Sequence, residues 1–194
     1  FSVYYALFFG LTLLVFYPLF YFFLKLVPNY PVAFRLKQCW AKCLQLGFLI
    51  RFKVEGKENI PRDTAFVICP NHSSYLDIIL MYLTLPDPLI FMAKAELGKW
   101  PLFNIFFHRM DVLVDRKNPR NAVLALQKCK QKIEQGYSAV IFPEGTIPDS
   151  SPKLGVFKTG AFKVAKELNV PILPITFTNN IGIIGRIGAK DFKV

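Results

Sequence analysis

The sequence has few of the residues that build metal centres and disulfide frameworks. Its 194 residues include four cysteines and two histidines, and no two cysteines form a C-x-x-C pair. This spacing excludes a zinc finger and a disulfide-stapled miniprotein, and it is typical of free thiols in a reducing compartment. We therefore expect no metal ion.

Acidic residues are also scarce, since 13 Asp and Glu stand against 24 Lys and Arg, which gives a net charge of +11. A surplus of this size indicates an anionic partner, either nucleic acid or lipid. The sequence lacks the stacking-aromatic and helix-turn-helix patterns of nucleic-acid binding. We therefore predict anionic membrane lipid, and no nucleic acid, as the partner.

The first 24 residues carry no charge, and 20 of them are apolar. As one helix they would reach about 36 Å, enough to cross a hydrocarbon core of about 30 Å. Pro18 interrupts this run, and the next segment, residues 32–52, is amphipathic, with one polar stripe formed by Arg35, Gln38, Lys42 and Gln45. The two segments predict either a single span with the remainder on the cytoplasmic side, or a hairpin lying in one leaflet.

Residues 50–194 alternate between strand-like and helical patterns. Apolar runs predict strands at 66–69, 89–92, 112–114, 139–142 and 172–177, and helices are predicted at 74–84, 119–135 and 159–168. This order predicts an α/β domain over 50–194, with a mixed, largely parallel sheet flanked by helices, after a membrane-associated two-helix segment over 1–49. The start at Phe1 and the end at Val194 are compatible with a sequence trimmed at both ends.

Three of the predicted strands lead directly into polar clusters. These clusters occupy residues 70–77, 115–117 and 143–146. If the strands are parallel, all three clusters share the carboxyl edge of the sheet, where open α/β folds bind ligands.

His72 and Asp77 are the most informative pair in these clusters. On a straight helix their side chains would diverge by about 140°, so they meet only if His72 lies in the turn and Asp77 in the first helical turn. A carboxylate beside an imidazole fixes its tautomer and makes it a general base at neutral pH. Taken alone, the pair is better explained by Asp77 favouring a helix N-terminus and His72 capping a turn.

The full set of motifs resembles the glycerolipid acyltransferases, most closely the bacterial-type 1-acylglycerol-3-phosphate acyltransferases. Four blocks occur in the family order between residues 66 and 178. They are the His-x4-Asp box from His72 to Asp77, a second block from Lys94 to Asp115-Arg116, Phe142-Pro143-Glu144-Gly145-Thr146, and Val170-Pro171-Ile172-Leu173-Pro174-Ile175.

The resemblance implies a glycerol-3-phosphate acyltransferase-like fold and transfer of a fatty acyl group from acyl-CoA or acyl-carrier protein to the 2-hydroxyl of lysophosphatidic acid. No cofactor is implied beyond the donor substrate. His72 would be the general base and Asp77 would orient it, while Ser73 and Ser74 would be caps. The implied substrate-binding residues are Arg116 for the phosphate, Glu144 and Gly145 for the glycerol, and Thr146, Asn71 and Lys158 beside them.

The sequence departs from the family pattern at two positions. Ile147 stands where many members carry an arginine, and Lys158 or Lys153 would then supply the missing cation; Asn104 stands where glycine is common. His108 and Arg109 are predicted to be surface residues. Two alternatives stay open from the sequence: another acceptor, such as glycerol 3-phosphate or a different lysolipid, and a non-catalytic membrane module that binds anionic lipid.

Overall fold

A computed structural model describes residues 2–107, 110–149, 151 and 153–178. Within these residues five strands form one parallel sheet in the order β3-β2-β4-β1-β5. The strands are β1 (Val67–Pro70), β2 (Leu89–Lys94), β3 (Val112–Val114), β4 (Ser138–Val140) and β5 (Ile172–Ile175). All five predicted strands are confirmed, and the α/β prediction is confirmed with a sheet whose described pairings are all parallel.

Six α-helices accompany the sheet in the described part of the chain: α1 (Ser2–Tyr21), α2 (Tyr30–Gly47), α3 (Leu76–Thr84), α4 (Asn104–Phe107), α5 (Pro119–Glu134) and α6 (Gly160–Leu168). The predicted start of α5 is confirmed, because the Asn118 side chain accepts hydrogen bonds from the backbone N–H groups of Arg120 and Asn121. The helix stops before Gly136, whose φ of 93° suits glycine.

The sheet is covered on both faces, so alternate strand residues enter two different cores. Ile68, Phe91 and Val140 point to the face packed by α1, α2, α3 and α4. Cys69 and Ala139 belong to the opposite core, together with buried residues of α5 and α6. The result is a three-layer arrangement of helices, sheet and helices, in which only the edges of the sheet are left uncovered for a binding site.

The N-terminal segment is an α-helical hairpin that packs on this domain. A π-helical turn, Phe22–Leu26, extends α1, and Val3–Leu26 is the one helix of the described chain that is long and apolar enough to cross a membrane. Tyr4 near the start of α1 donates a hydrogen bond to the Gly47 carbonyl at the end of α2, so the two helices run antiparallel. Large apolar side chains are exposed along α1 at Val3, Leu7, Leu11, Leu14, Val15 and Leu19.

The predicted polar stripe of the second helix is wrong at Gln38. Arg35 and Lys42 are exposed, but the Gln38 amide donates hydrogen bonds to the carbonyls of Tyr82 and Leu85, at the end of α3. These contacts fasten α2 to the helix whose first turn contains Asp77. The stripe therefore divides between an outward part and a part that holds the domain.

A buried ion pair adds a second connection between the hairpin and the domain. Nζ of Lys37 on α2 lies 3.4 Å from Oδ2 of Asp111, which precedes β3, and 3.2 Å from the Tyr82 hydroxyl. Asp111 also accepts a hydrogen bond from the backbone N–H of Phe91 at 2.9 Å. Burial raises the pKa of Asp111, while the Lys37 ammonium opposes that effect.

Candidate active site

The three polar clusters meet at one edge of the sheet, because β1, β3 and β4 are parallel and each leads into its cluster at its carboxyl end. The strand order decides their spacing. Since β4 lies next to β1, the residues after these two strands are neighbours. At about 4.8 Å per strand, the end of β3 lies about 10 Å from that of β4 and about 14 Å from that of β1.

His72 and Asp77 form a hydrogen-bonded pair at the end of β1. Nδ1 of His72 lies 2.8 Å from Oδ2 of Asp77, with His72 in the turn and Asp77 in the first turn of α3, as their spacing required. With Asp77 ionised, Nδ1 carries the proton and Nε2 holds a lone pair. No group in the described part of the chain forms a hydrogen bond with Nε2. The arrangement can therefore accept a proton from a bound molecule.

Two further contacts fix this pair. The same Asp77 oxygen accepts hydrogen bonds from the backbone N–H groups of Ser73 at 2.7 Å and Ser74 at 3.0 Å, and its side chain is fully buried. The His72 ring stacks on Phe142, with ring centroids 4.0 Å apart. Asp77 thus both favours the helix N-terminus and orients His72, so the two explanations of the motif hold together.

The two serines differ in what their hydroxyls do. The Ser74 hydroxyl oxygen accepts a hydrogen bond from the backbone N–H of Leu76 at the start of α3, which is a capping contact. The Ser73 hydroxyl is buried and has no hydrogen-bond partner among the described residues.

Glu144 is joined to His72 by a contact that the sequence did not predict. One carboxylate oxygen accepts a hydrogen bond from the backbone N–H of His72 at 2.7 Å, and the other accepts one from the backbone N–H of Gly155 at 2.6 Å. The Glu144 side chain is buried. The carboxylate therefore ties the His72 turn after β1 to the loop that follows β4.

Gly145 and Lys158 lie together beside this carboxylate. Gly145 has a φ of 73°, and a Cβ there would lie 3.0 Å from Nζ of Lys158. The Lys158 backbone N–H donates to the Pro143 carbonyl at 2.8 Å, which holds the lysine next to the Glu144–Gly145 turn. Lys158 and Lys153 are both exposed, but Lys158 is the one that these contacts bring to the turn.

The remaining predicted binding residues occupy different places. Asn71 uses its amide on the backbone of Phe177, donating to the carbonyl at 3.1 Å and accepting from the N–H at 2.6 Å. Thr146 is exposed, and its hydroxyl lies 3.5 Å from the Ile147 carbonyl. Asn71 therefore holds the segment after β5, whereas Thr146 lies on the surface.

Arg116 lies at the same edge but farther from His72, after β3. Arg116 as a whole is exposed, but its guanidinium is partly desolvated. This desolvation lowers the pKa of Arg116, and the Glu96 carboxylate only partly opposes the shift. His108 and Arg109 lie outside the described residues. In the part of the chain that the structure describes, no group of three His, Cys, Asp or Glu side chains is placed to hold a metal ion.

Comparison with known proteins agrees with this geometry. The acyltransferase family model matches residues 51–178. A probable 1-acyl-sn-glycerol-3-phosphate acyltransferase from Mycoplasma pneumoniae is 34% identical over 161 residues, which are 79% of this chain and 60% of that protein. A 1-acyl-sn-glycerol-3-phosphate acyltransferase from Helicobacter pylori is 36% identical over 133 residues, 66% of this chain and 55% of the relative. The chain thus spans somewhat over half the length of these curated relatives.

A solved structure supports the same relationship. The crystal structure of the 1-acyl-sn-glycerophosphate (LPA) acyltransferase PlsC from Thermotoga maritima superposes with a TM-score of 0.77 at 25% sequence identity. The match covers 99% of this chain and 81% of that protein. It therefore includes the hairpin as well as the sheet.

Proposed function

The chain belongs to the acyltransferase family, and from that premise we propose that it moves a fatty acyl group from a thioester to the free 2-hydroxyl of lysophosphatidic acid, giving phosphatidic acid. The observation that carries the proposal is the His72–Asp77 pair, which leaves Nε2 of His72 available at the edge of the sheet. The names of the relatives support this acceptor.

The chemistry follows from that free nitrogen. Nε2 removes the hydroxyl proton while the acceptor oxygen attacks the carbonyl carbon of the thioester. A C–O ester bond forms, the C–S bond breaks, and the departing thiolate takes the proton back from the imidazolium. The Asp77 carboxylate stabilises the imidazolium while it exists, and no acyl-enzyme is required.

Two cations suit the acceptor phosphate. Lys158 lies against Gly145, next to the Glu144 carboxylate that contacts His72, and this proximity supports it as the substitute for the arginine that many family members carry where Ile147 stands here. Arg116 reaches the same edge from β3 and can form a charge-assisted contact. We propose that both bind the phosphate, that Gly145 and Thr146 border the glycerol, and that Asn71 and Glu144 act mainly through the backbone they hold.

Membrane lipid is the environment that fits this substrate. The exposed apolar face of α1 would bury itself in lipid, either as a single span or as a hairpin in one leaflet, and Arg35 and Lys42 would meet anionic headgroups. The excess of Lys and Arg after α1 favours the cytoplasmic side for the domain. The donor is acyl-CoA or acyl-carrier protein, and no cofactor is needed.

The test is an acyl-transfer assay with lysophosphatidic acid, glycerol 3-phosphate and a second lysolipid as acceptors, each with both donors. We expect lysophosphatidic acid to be used best, and His72→Ala and Asp77→Asn to lower the rate by about a hundredfold to ten-thousandfold. The asparagine of the second variant keeps an oxygen for the backbone amides but loses the charge, so folding of both variants is verified by circular dichroism before their rates are compared. His108→Ala changes the other histidine of the chain and serves as the control.

Two results would contradict the proposal. Full activity in folded His72→Ala would remove His72 as the base. A wild-type chain that binds vesicles yet transfers no acyl group to any acceptor would favour the non-catalytic lipid-binding module.

A further inference from the structure

An apolar turn projects from the edge of the sheet that contains the candidate site. It consists of residues 100–102 and lies between the 3-10 helix Ala95–Lys99 and α4. The Trp100 side chain is 57% exposed and that of Leu102 is 39% exposed, although turns on a protein surface are usually polar. The turn is well formed, because the N–H of Asn104 donates to the Trp100 carbonyl.

Leu102 adopts a backbone conformation that leucine disfavours. Its φ is 69°, in the left-handed region where glycine or asparagine is usual. Strain of this kind persists where the surrounding structure enforces it, and it concentrates at functional positions. In this turn the left-handed conformation places a large apolar side chain partly in solvent, although neither the core nor the turn requires a leucine there.

The turn is joined by aromatic contacts to the helix that would meet lipid. Trp100 packs edge-on against Phe103 with centroids 6.2 Å apart, and Phe103 stacks on Phe9 of α1 at 6.0 Å. The preceding 3-10 helix packs on β3, because a Cβ on Gly98 would collide with Leu113. The turn is thus fixed to α1 on one side and to the strand that leads to Arg116 on the other.

We propose that Trp100 and Leu102 form a second membrane contact, which holds the carboxyl edge of the sheet at the headgroup level of an anionic bilayer. This inference rests on the proposed membrane association of α1. Tryptophan suits the interface because its ring is apolar while its N–H needs a polar partner. Exposed Lys99, next to Trp100, supplies a positive charge that matches anionic headgroups.

The chain offers a direct optical test, because Trp40 and Trp100 are its two tryptophans. In the full chain with Trp40→Phe, Trp100 is the only source of tryptophan fluorescence. Vesicles of phosphatidylcholine and phosphatidylglycerol should shift its emission to shorter wavelength, and lipids brominated near the headgroup should quench it more than lipids brominated near the chain end.

Co-sedimentation with the same vesicles shows whether the protein is bound. Unchanged Trp100 emission in bound protein would overturn the proposal. So would an emission change caused by acyl-CoA or acyl-carrier protein without vesicles, since the turn would then be a donor site. A chain that does not bind vesicles would remove the role of α1 as well, while acyl transfer to acceptor in detergent would leave the proposed reaction standing.

A pair of double variants separates membrane contact from folding. We expect Trp100→Ala with Leu102→Ser to weaken vesicle binding about tenfold or more, as the loss of buried apolar area predicts. Val123→Ser with Leu124→Ser is the matched control, because those α5 side chains are each 54% exposed. Equal effects of the two double variants would contradict the proposal.

Leu102→Gly supplies a readout that a purely structural role would not give. Glycine adopts the left-handed conformation without strain, so the unfolding midpoint should rise while vesicle binding falls. A fall of both would show that Leu102 serves the fold.

Discussion

Replacing Glu144 with glutamine tests how the candidate site is held together. The carboxylate is buried and accepts one backbone hydrogen bond on each oxygen, from His72 and from Gly155. Glutamine has the same shape but only one acceptor oxygen, so one of the two amides must face an NH2 group. The change therefore removes one contact without opening a cavity.

The size of the effect follows from those two bonds. A hydrogen bond to a charged group contributes about 1.5–3 kcal/mol, and a buried donor left without a partner adds its own penalty. We expect Glu144→Gln to lower the free energy of unfolding by about 2–4 kcal/mol, a large part of the 5–15 kcal/mol typical of a domain. For a chain of this length the midpoint of thermal unfolding should fall by about 4–16 °C.

Thermal unfolding in detergent, followed by far-ultraviolet circular dichroism, measures this loss. Acyl transfer below the unfolding range should also fall, because the link from the His72 amide through residue 144 to the Gly155 amide is broken at one end. Glu58→Gln is the control, since Glu58 is exposed and its replacement should leave both quantities unchanged. A Glu144→Gln variant with wild-type stability and rate would refute the idea that this carboxylate organises the site.

Three further predictions concern groups away from the reaction. Lys37→Met leaves the Asp111 carboxylate buried without its cation, so it should lower stability by about 3–5 kcal/mol in denaturant unfolding, and adding Asp111→Asn should restore part of the loss. Burial raises the pKa of Asp111, so its contribution to the free energy of unfolding is fully present below the ordinary pKa and is lost as the pH rises through the raised pKa. Denaturant unfolding over a pH series should show this loss, and the loss should be larger in Lys37→Met. Thiol labelling of the native chain should modify exposed Cys39 first, since burial raises the pKa of Cys69 to about 11 and of Cys129 to about 12; fast labelling of either would contradict the packing of the core facing α5 and α6.

The local patterns of the sequence were sufficient to predict the elements and the pairing of His72 with Asp77. The Asn118-Pro119 start and the Gly136 stop of α5 are confirmed because capping is a matter of neighbouring residues. The five-residue spacing of His72 and Asp77 required a turn followed by a helix, and the structure has that geometry. In both cases the interacting groups are close in sequence, so their chemistry restricts the backbone directly.

Contacts between distant segments were not predictable in the same way. Lys37 falls outside the polar stripe drawn on the second helix, and its partner Asp111 is 74 residues away. The bond from the His72 amide to Glu144 spans 72 residues and uses a backbone group, which leaves no trace in side-chain chemistry. A single sequence shows which residues could form such contacts but not which residues contact each other, because packing decides how a helix is positioned on the sheet.

The strand order carries information that no motif contains, and it bears on how the acceptor would lie. Because β4 lies beside β1, Glu144 contacts the His72 backbone and Lys158 lies against the next residue, Gly145, whereas the strand that leads to Arg116 ends about 14 Å from the end of β1. In lysophosphatidic acid the phosphate ester oxygen is only two carbons from the reacting hydroxyl. A phosphate held by Lys158 over Gly145 would therefore keep that hydroxyl close to Nε2 of His72, and a direct contact from Arg116 would require its side chain to reach across the end of β2. The proposed acceptor would thus need a cation on the β4 side, and Lys158, which lies against Gly145, is our candidate for the role of the arginine that many family members carry where Ile147 stands here.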